Sequence, residues 1–195
     1  GLANGISNLH NARKASTPII NLVGDHADYH RKHDSPLNSD ITALARNVSS
    51  WIKSDSTALS LSSDVIEALN SAINPKPRPD GQISTLIIPA NAAWEAGTDT
   101  ARSSESKGRK QISKNKIDEM AKQIDSECLI LLGSDGLSLA ARQAAGRIAE
   151  KTKCRVAMSM FSEKIEHGSG LPVSERLPYF PEHVMAFLKG LKKIV

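Results

Sequence analysis

Three histidines stand close together in one polar segment of the chain. His26, His30 and His33 lie within residues 24–40, which follow the apolar run 18–23. That apolar run predicts a buried strand. Ligands of open α/β sheets bind at the carboxyl ends of parallel strands, so the histidine segment is a candidate site. Because imidazole titrates near neutral pH, these side chains could transfer protons to or from a substrate.

Two other interpretations of the histidines stay open. A polar loop that is simply exposed to solvent also carries such residues. If the segment were helical, the spacing of His26 and His30 could hold zinc, but no HExxH glutamate or CxxC pair accompanies them. No metal-ligating residue is therefore predicted.

A second candidate is the turn Gly133-Ser134-Asp135-Gly136, between a predicted strand and a predicted helix. Free backbone N–H groups at such a point could hold a phosphate. The turn lacks the GxGxxG spacing of a dinucleotide site, and no P-loop lysine follows it. A tight turn without a ligand is the alternative, and no nucleotide is assigned.

Apolar periodicity predicts alternating helices and strands. Helices are expected at 2–14, 40–46, 63–73, 116–125, 137–152 and 181–190, and strands at 18–23, 48–53, 84–88, 128–132 and 155–160, with a further strand beginning near Ile194. This alternation predicts an α/β fold with two parallel sheets covered by helices. Asp64 with Glu67 is interpreted as the capping signal of the third helix. The segment 91–115 lacks apolar periodicity and is interpreted as a linker.

Composition excludes several classes of protein. Hydrophobic residues make up 39% and charged residues 24%, as in ordinary globular domains. The net charge of +4 is spread along a chain with few aromatic residues, which argues against nucleic-acid binding. No apolar stretch approaches the ~20 residues that span a bilayer and no signal peptide is visible, so no membrane partner and a cytoplasmic location are expected. Cys128 and Cys154 are expected to be reduced core thiols.

Both ends of the sequence suggest incompleteness. The first predicted helix, with Leu2, Ile6 and Leu9 on its apolar face, leads into a strand as the second half of a βαβ unit. Residues 192–195 look like the first residues of another strand. We therefore expect the chain to be a fragment of a larger enzyme.

Three stretches carry a family resemblance. They are GLANGISNLHNAR at 1–13, TPIINLVGDH at 17–26 and DSPLNSD at 34–40. They resemble the thiamine diphosphate-dependent enzymes of the acetolactate synthase and 2-oxoacid decarboxylase group, in the branch called acetolactate synthase large-subunit-like. Residues 175–182, ERLPYFPE, are similar to part of that family's central domain.

The resemblance implies a domain organisation of two partial three-layer units with parallel sheets. Residues 1–90 would be the C-terminal part of the pyrimidine-binding domain, 91–115 a linker, and 116–195 the N-terminal part of a Rossmann-like central domain.

The resemblance also implies site residues. Gly1 and Asn4 would lie on the cofactor side, at the tail of a Gly-Pro-Gly-x-x-Asn turn. His26, His30 and His33 would be the local candidates for catalytic proton transfer. The family's proton-relay glutamate would precede Gly1, and the Gly-Asp-Gly motif that binds magnesium and the diphosphate would follow Val195.

The implied activity is decarboxylation or carboligation of 2-oxo acids with thiamine diphosphate and Mg²⁺, in a homo-oligomer, either a dimer or a tetramer. The synthases carry a glutamine near Leu37, so acetolactate formation itself is in question. The 195 residues alone are expected to be inactive. The alternative is a non-catalytic α/β module that binds a nucleotide or another phosphate ligand.

Overall fold

The structure, a computed structural model, describes residues 1–74, 82–102, 111–168 and 170–195. It divides into two compact units, Gly1–Ser106 and Lys107–Val195, which are described separately. The division falls inside the segment 91–115 that was interpreted as a linker, and residues 103–110 of that segment lie outside the described part.

The first unit has a three-stranded parallel sheet in the order β1-β3-β2. Its strands are β1 Ile19–Asp25, β2 Trp51–Lys53 and β3 Ile83–Pro89, and its helices are α1 Leu2–Ala15, α2 Asp28–Arg31, α3 Ile41–Arg46, α4 Leu61–Ile73 and α5 Ala90–Trp94. The short helices α2 and α5 were not predicted.

The second unit has a four-stranded parallel sheet in the order β6-β5-β4-β7. Its elements are α6 Lys114–Ala121, β4 Cys128–Leu132, a 3₁₀ turn Ser134–Leu137, α7 Leu139–Thr152, β5 Arg155–Met158, β6 Glu175–Arg176, α8 Pro181–Leu188 and β7 Lys193–Ile194. The prediction of an α/β fold with two parallel sheets is confirmed.

The central strand β3 forms the core of the first unit. Its neighbours β1 and β2 pair with it on opposite edges, and Ile83, Leu86 and Ile87 are at most 1% exposed. A strand with partners on both edges and helices packed against it favours β-branched and apolar residues, which explains the sequence of residues 83–89.

The start of α4 differs from the prediction. The helix begins at Leu61, after Ser60, so the interpretation of Asp64 with Glu67 as a capping signal is wrong. Asp64 is instead 2% exposed, and its Oδ1 lies 2.7 Å from Nζ of Lys53 on β2. The hydroxyl of Ser60 donates to the other carboxylate oxygen at 2.8 Å. Asp64 therefore ties the helix to the strand.

These contacts shift the pKa values of both partners. Burial of Asp64 opposes its ionisation, but the hydrogen bonds from Lys53 and Ser60 outweigh that effect and lower its pKa. The hydrogen bonds to Asp64 and Glu67 raise the pKa of Lys53. A lowered carboxyl pKa stabilises the fold above the unfolded value of about 3.9, and this contribution disappears as the pH falls through the folded value.

We predict that Asp64→Asn lowers the free energy of unfolding at pH 7 by about 1–3 kcal/mol, because a buried hydrogen-bonded carboxylate is lost. The difference from the parent chain should shrink below pH ~4, where the carboxyl group becomes protonated. Urea unfolding at several pH values measures both effects.

The matched control is Glu67→Gln. Glu67 also pairs with Lys53, at 3.1 Å, but its side chain is 58% exposed. Exposed pairs contribute roughly 0–1 kcal/mol, so this variant should change stability little. Equal losses for the two variants would contradict the role given to burial.

The second unit contains both cysteines in its core. Cys128 and Cys154 are buried and free, as predicted, and they pack with Ile130, Ala145 and Val156. Burial raises the pKa of the Cys128 thiol, which keeps it protonated and unreactive.

A buried arginine holds a long connection against α7. Arg142 is 4% exposed, and its guanidinium donates to the carbonyl oxygen of Pro172 at 2.9 Å and to that of Glu166. A Cβ on Gly146 would lie 3.2 Å from Cδ of Pro172. Gly146 on α7 therefore leaves the room that this connection occupies. Within the described residues, no helix combines the length and apolar content needed to cross a membrane.

Candidate functional site

The first unit contains a groove of about 830 Å³. It lies beside the start of α1, the length of β1 and the segment that follows β1. Its lining includes Gly1, Asn21, His26, His30, Leu37 and Trp94. Cavities of roughly 300–1,000 Å³ suit small-molecule ligands, so the groove has the size of a cofactor or substrate site.

The groove brings together some of the predicted site residues. Gly1 and His26 line it, and so does His30. Neither His33 nor Asn4 is part of the lining, and both side chains are exposed. The ring of His33 lies 6.5 Å from that of His30, centroid to centroid, on the outer side of the cluster.

His26 is held at two points. Its backbone N–H donates to Oδ1 of Asp25 at 2.7 Å, and its ring Nε2 lies 3.2 Å from Oγ of Ser35. The ring is half-buried, whereas the ring of His30 is exposed. Of the three histidines, His26 is therefore the one with a defined orientation at the groove.

The acidic and basic residues next to His26 form an ion-pair network that sequence reasoning missed. Nε of Arg31 lies 3.0 Å from Oδ2 of Asp25, and Nη2 lies 3.3 Å from Oδ1 of Asp28. The spacing of Asp28 and Arg31, three residues apart in a helix, was the only local signal. Asn91 also contacts Asp28, from 63 residues away, and no local pattern shows this.

Polar contacts across the sheet support the strand that lines the groove. Nδ2 of Asn21 on β1 donates to Oγ1 of Thr85 at 3.1 Å, and the hydroxyl of Ser49 lies 2.6 Å from the same oxygen. Thr85 is fully buried. A buried hydroxyl with two partners fixes the Asn21 side chain at the groove.

We predict that Thr85→Val destabilises the first unit by about 1–3 kcal/mol, because Asn21 and Ser49 then lose a buried partner. Chemical unfolding followed by circular dichroism measures the change. Thr85→Ser keeps the hydroxyl and should recover part of the loss. Equal stability of the valine variant and the parent chain would show that these bonds contribute nothing.

The turn at residues 133–136 offers less to a ligand than its glycines suggested. The N–H of Gly136 donates to the carbonyl oxygen of Gly133 at 2.9 Å, and the N–H of Ser138 donates to that of Asp135 at 3.1 Å. The adjacent cavity is about 140 Å³, and its lining includes Asp135, Glu163 and Glu166, together with Lys164, which is paired with Glu166 at 2.6 Å. Amides used within the turn and acidic neighbours disfavour a phosphate here.

Metal ligands do not cluster in the described part of the chain. Residues 1–74, 82–102, 111–168 and 170–195 contain no group of three or more His, Cys, Asp or Glu side chains that could hold a metal ion.

Comparison with known proteins gives a relative that spans the whole chain. A protein of Mycobacterium tuberculosis (strain ATCC 25618 / H37Rv) named "Putative acetolactate synthase large subunit IlvX" is 36% identical over 197 residues, which cover 100% of this chain and 37% of that protein. A search against models of known protein families gives no match.

Two solved structures have the same fold. One is described as a "putative thiamin diphosphate-dependent enzyme isolated from Mycobacterium smegmatis", with a TM-score of 0.73, 20% identity and coverage of 100% of this chain and 38% of that chain. The other is a thiamine diphosphate-dependent 4-hydroxybenzoylformate decarboxylase of Rhodococcus jostii RHA1, with a TM-score of 0.64, 19% identity and coverage of 82% and 31%.

These comparisons confirm the resemblance seen in the sequence. The chain is acetolactate synthase large-subunit-like in sequence along its whole length, and it has the fold of domains found in thiamine diphosphate-dependent enzymes. It spans 31–38% of the length of these three proteins.

Proposed function

We propose that this chain forms one wall of the cofactor site in a thiamine diphosphate-dependent enzyme that decarboxylates or ligates 2-oxo acids. Residues 1–90 are the C-terminal part of the pyrimidine-binding domain in this proposal, and residues 116–195 are the N-terminal part of the central domain. The whole enzyme is a homo-oligomer. The observation that carries the proposal is that Gly1, His26 and His30 line one groove of cofactor size.

The groove has the features that one end of the cofactor needs. A Cβ on Gly1 or Gly24 would meet no atom within 4 Å, so the backbone at both positions is open to a ligand. The N-cap residue Gly1 has no side chain to cap α1, and the N–H of Asn4 donates to the carbonyl oxygen of Gly1 at 3.2 Å, so the N–H groups before Asn4 are the ones that could face acceptor atoms. Gly1 lines the groove, which supports placing it on the cofactor side. Asn4 does not line the groove, and its cofactor-side place in the proposal comes from the sequence resemblance alone.

The other end of the cofactor finds no counterpart in the described residues. They contain no metal-holding group, and the Gly-Asp-Gly motif does not occur in the sequence. We propose that Mg²⁺ and the diphosphate are held elsewhere in the whole enzyme. The 195 residues alone should then be inactive.

Thiamine diphosphate, when bound, supplies the electron sink for loss of carbon dioxide from a 2-oxo acid. The chain's own contribution is to orient groups and move protons. In this proposal the His26 ring, whose Nε2 lies 3.2 Å from Oγ of Ser35, exchanges a proton with a ligand in the groove. His30 and His33 are the further proton-transfer candidates, on the exposed side. Leu37, 85% exposed at the groove, gives this wall an apolar group near the place where the resemblance implies a glutamine in the synthases.

We predict that thiamine diphosphate binds the chain weakly and does so without Mg²⁺. Titration followed by two-dimensional NMR should shift amide signals around the groove, such as those of Gly5, Gly24 and His26. Shifts confined to residues 133–136 would support the phosphate-binding alternative instead. Absence of any saturable shift would contradict the proposal.

A steric variant sharpens this test. Gly24→Val should weaken thiamine diphosphate binding about tenfold or more, which corresponds to at least ~1.4 kcal/mol, because its side chain enters open space at the groove. Ser7→Val is the control, since Ser7 is exposed on α1 and does not line the groove. Equal affinities for the two variants would place the ligand elsewhere.

The proposed inactivity has its own measurement. The chain should release no carbon dioxide from pyruvate or benzoylformate in the presence of thiamine diphosphate and Mg²⁺. Turnover that depends on both additions would show that the 195 residues contain a complete reaction centre.

A further inference from the structure

The helix that carries His30 cannot be stable by itself. The four residues of α2 include no buried side chain, and the residue at its N-cap, Ala27, has no polar side chain that could cap it. Isolated helices much longer than this are marginal in water. Contacts with the rest of the unit must therefore hold α2, and with it the position of His30 at the groove.

Arg31 supplies the first of these contacts. Its guanidinium lies between two carboxylates, with Nε 3.0 Å from Asp25 at the end of β1 and Nη2 3.3 Å from Asp28 at the start of α2. The Asp25 side chain is only 11% exposed, so water screens its pair with Arg31 less than it screens an exposed pair. Neither nitrogen is aligned for a hydrogen bond within the described residues, so the attraction between opposite charges is what links the helix to the strand.

Asn91 supplies the second contact, from the other side. Its Oδ1 accepts the backbone N–H of Asp28 at 3.1 Å, and its Nδ2 lies 3.3 Å from Oδ2 of the same residue. Asn91 is on α5, directly after β3. The helix α2 is therefore tied to the ends of two neighbouring strands.

The same carboxylate that pairs with Arg31 also orients His26. Oδ2 of Asp25 faces Arg31, and Oδ1 accepts the backbone N–H of His26 at 2.7 Å. A change at Arg31 would free this carboxylate to move. The two histidines that line the groove are held by one network.

We propose that Arg31 and Asn91 are positioning residues, which orient His26 and His30 toward the groove and contact no ligand themselves. Neither residue lines the groove, and neither is buried, so they have no evident role in the core. The link to proton transfer depends on the proposed function, whereas the orientation of the histidines can be tested without it.

The test compares Arg31→Gln with Lys32→Gln. Lys32 is the adjacent residue, is exposed, and makes no ion pair within the described residues. The control therefore also removes one positive charge but keeps the contacts of Arg31 with Asp25 and Asp28. Amide hydrogen exchange of residues 26–33 and the NMR signals of the His26 ring are the readouts. Neither readout requires a cofactor.

Arg31→Gln should speed exchange of residues 26–33 about tenfold or more and shift the His26 ring signals toward those of a free histidine, while exchange in β1 and β3 stays unchanged. Arg31→Lys should recover only part of the order, because one Nζ cannot face both carboxylates as the guanidinium fork does. Asn91→Ala should also speed amide exchange of residues 26–33, by a smaller factor than Arg31→Gln.

Three results would overturn the assignment. The first is that Lys32→Gln has the same effect as Arg31→Gln. The second is that neither Arg31→Gln nor Asn91→Ala changes the hydrogen exchange or the His26 ring signals. The third is that Arg31→Gln and Asn91→Ala both speed amide hydrogen exchange throughout the strands, which would make Arg31 and Asn91 general stabilisers of the fold. Thiamine diphosphate titration of the parent chain tests the proposed function separately, so either idea can fail while the other stands.

Discussion

The parallel register of β1 and β3 is the constraint on which the site depends. Asp25 lies opposite Pro89, so the segments that leave the two strands begin side by side. One segment carries the groove histidines and the other carries Asn91. Because both strands run in the same direction, polar residues distant in sequence meet at one edge of the sheet, and a groove with fixed side chains forms there.

The sequence predicted the regular elements well where apolar periodicity was strong. The helix at 2–14 and the strands at 128–132 and 155–160 agree with the structure within one or two residues. The prediction for Asp64 was wrong because an acidic residue near the start of a helix also fits a capping motif. Only the position of Lys53 on a strand that folds against α4 shows that this carboxylate forms a buried ion pair instead.

The candidate site could be predicted only in part. The histidine segment was found because it follows an apolar strand, and the structure brings His26 and His30 to the groove with Gly1. The prediction that this strand is buried was wrong, because β1 pairs with β3 on one edge and leaves Leu22 59% exposed at the groove. Which histidines line the groove could not be predicted from the sequence, since His26 depends on contacts with Asp25 and Ser35, and His30 lies on a four-residue helix without apolar periodicity. Asn91 was missed because its contact with Asp28 arises only when β1 and β3 pair.

The strand order has a consequence for how the first unit is made during protein synthesis. Within the described residues, β1 and β2 each pair with β3, which is the last of the three to leave the ribosome. Their pairing with β3 therefore waits until residues 83–89 emerge, and closing such long loops is slow. The register separates Ile19 from its partner Ile83 by 64 residues and Trp51 from its partner Ser84 by 33. Over those stretches of translation the two apolar strands lack β3, an interval in which a chaperone would have the most to protect.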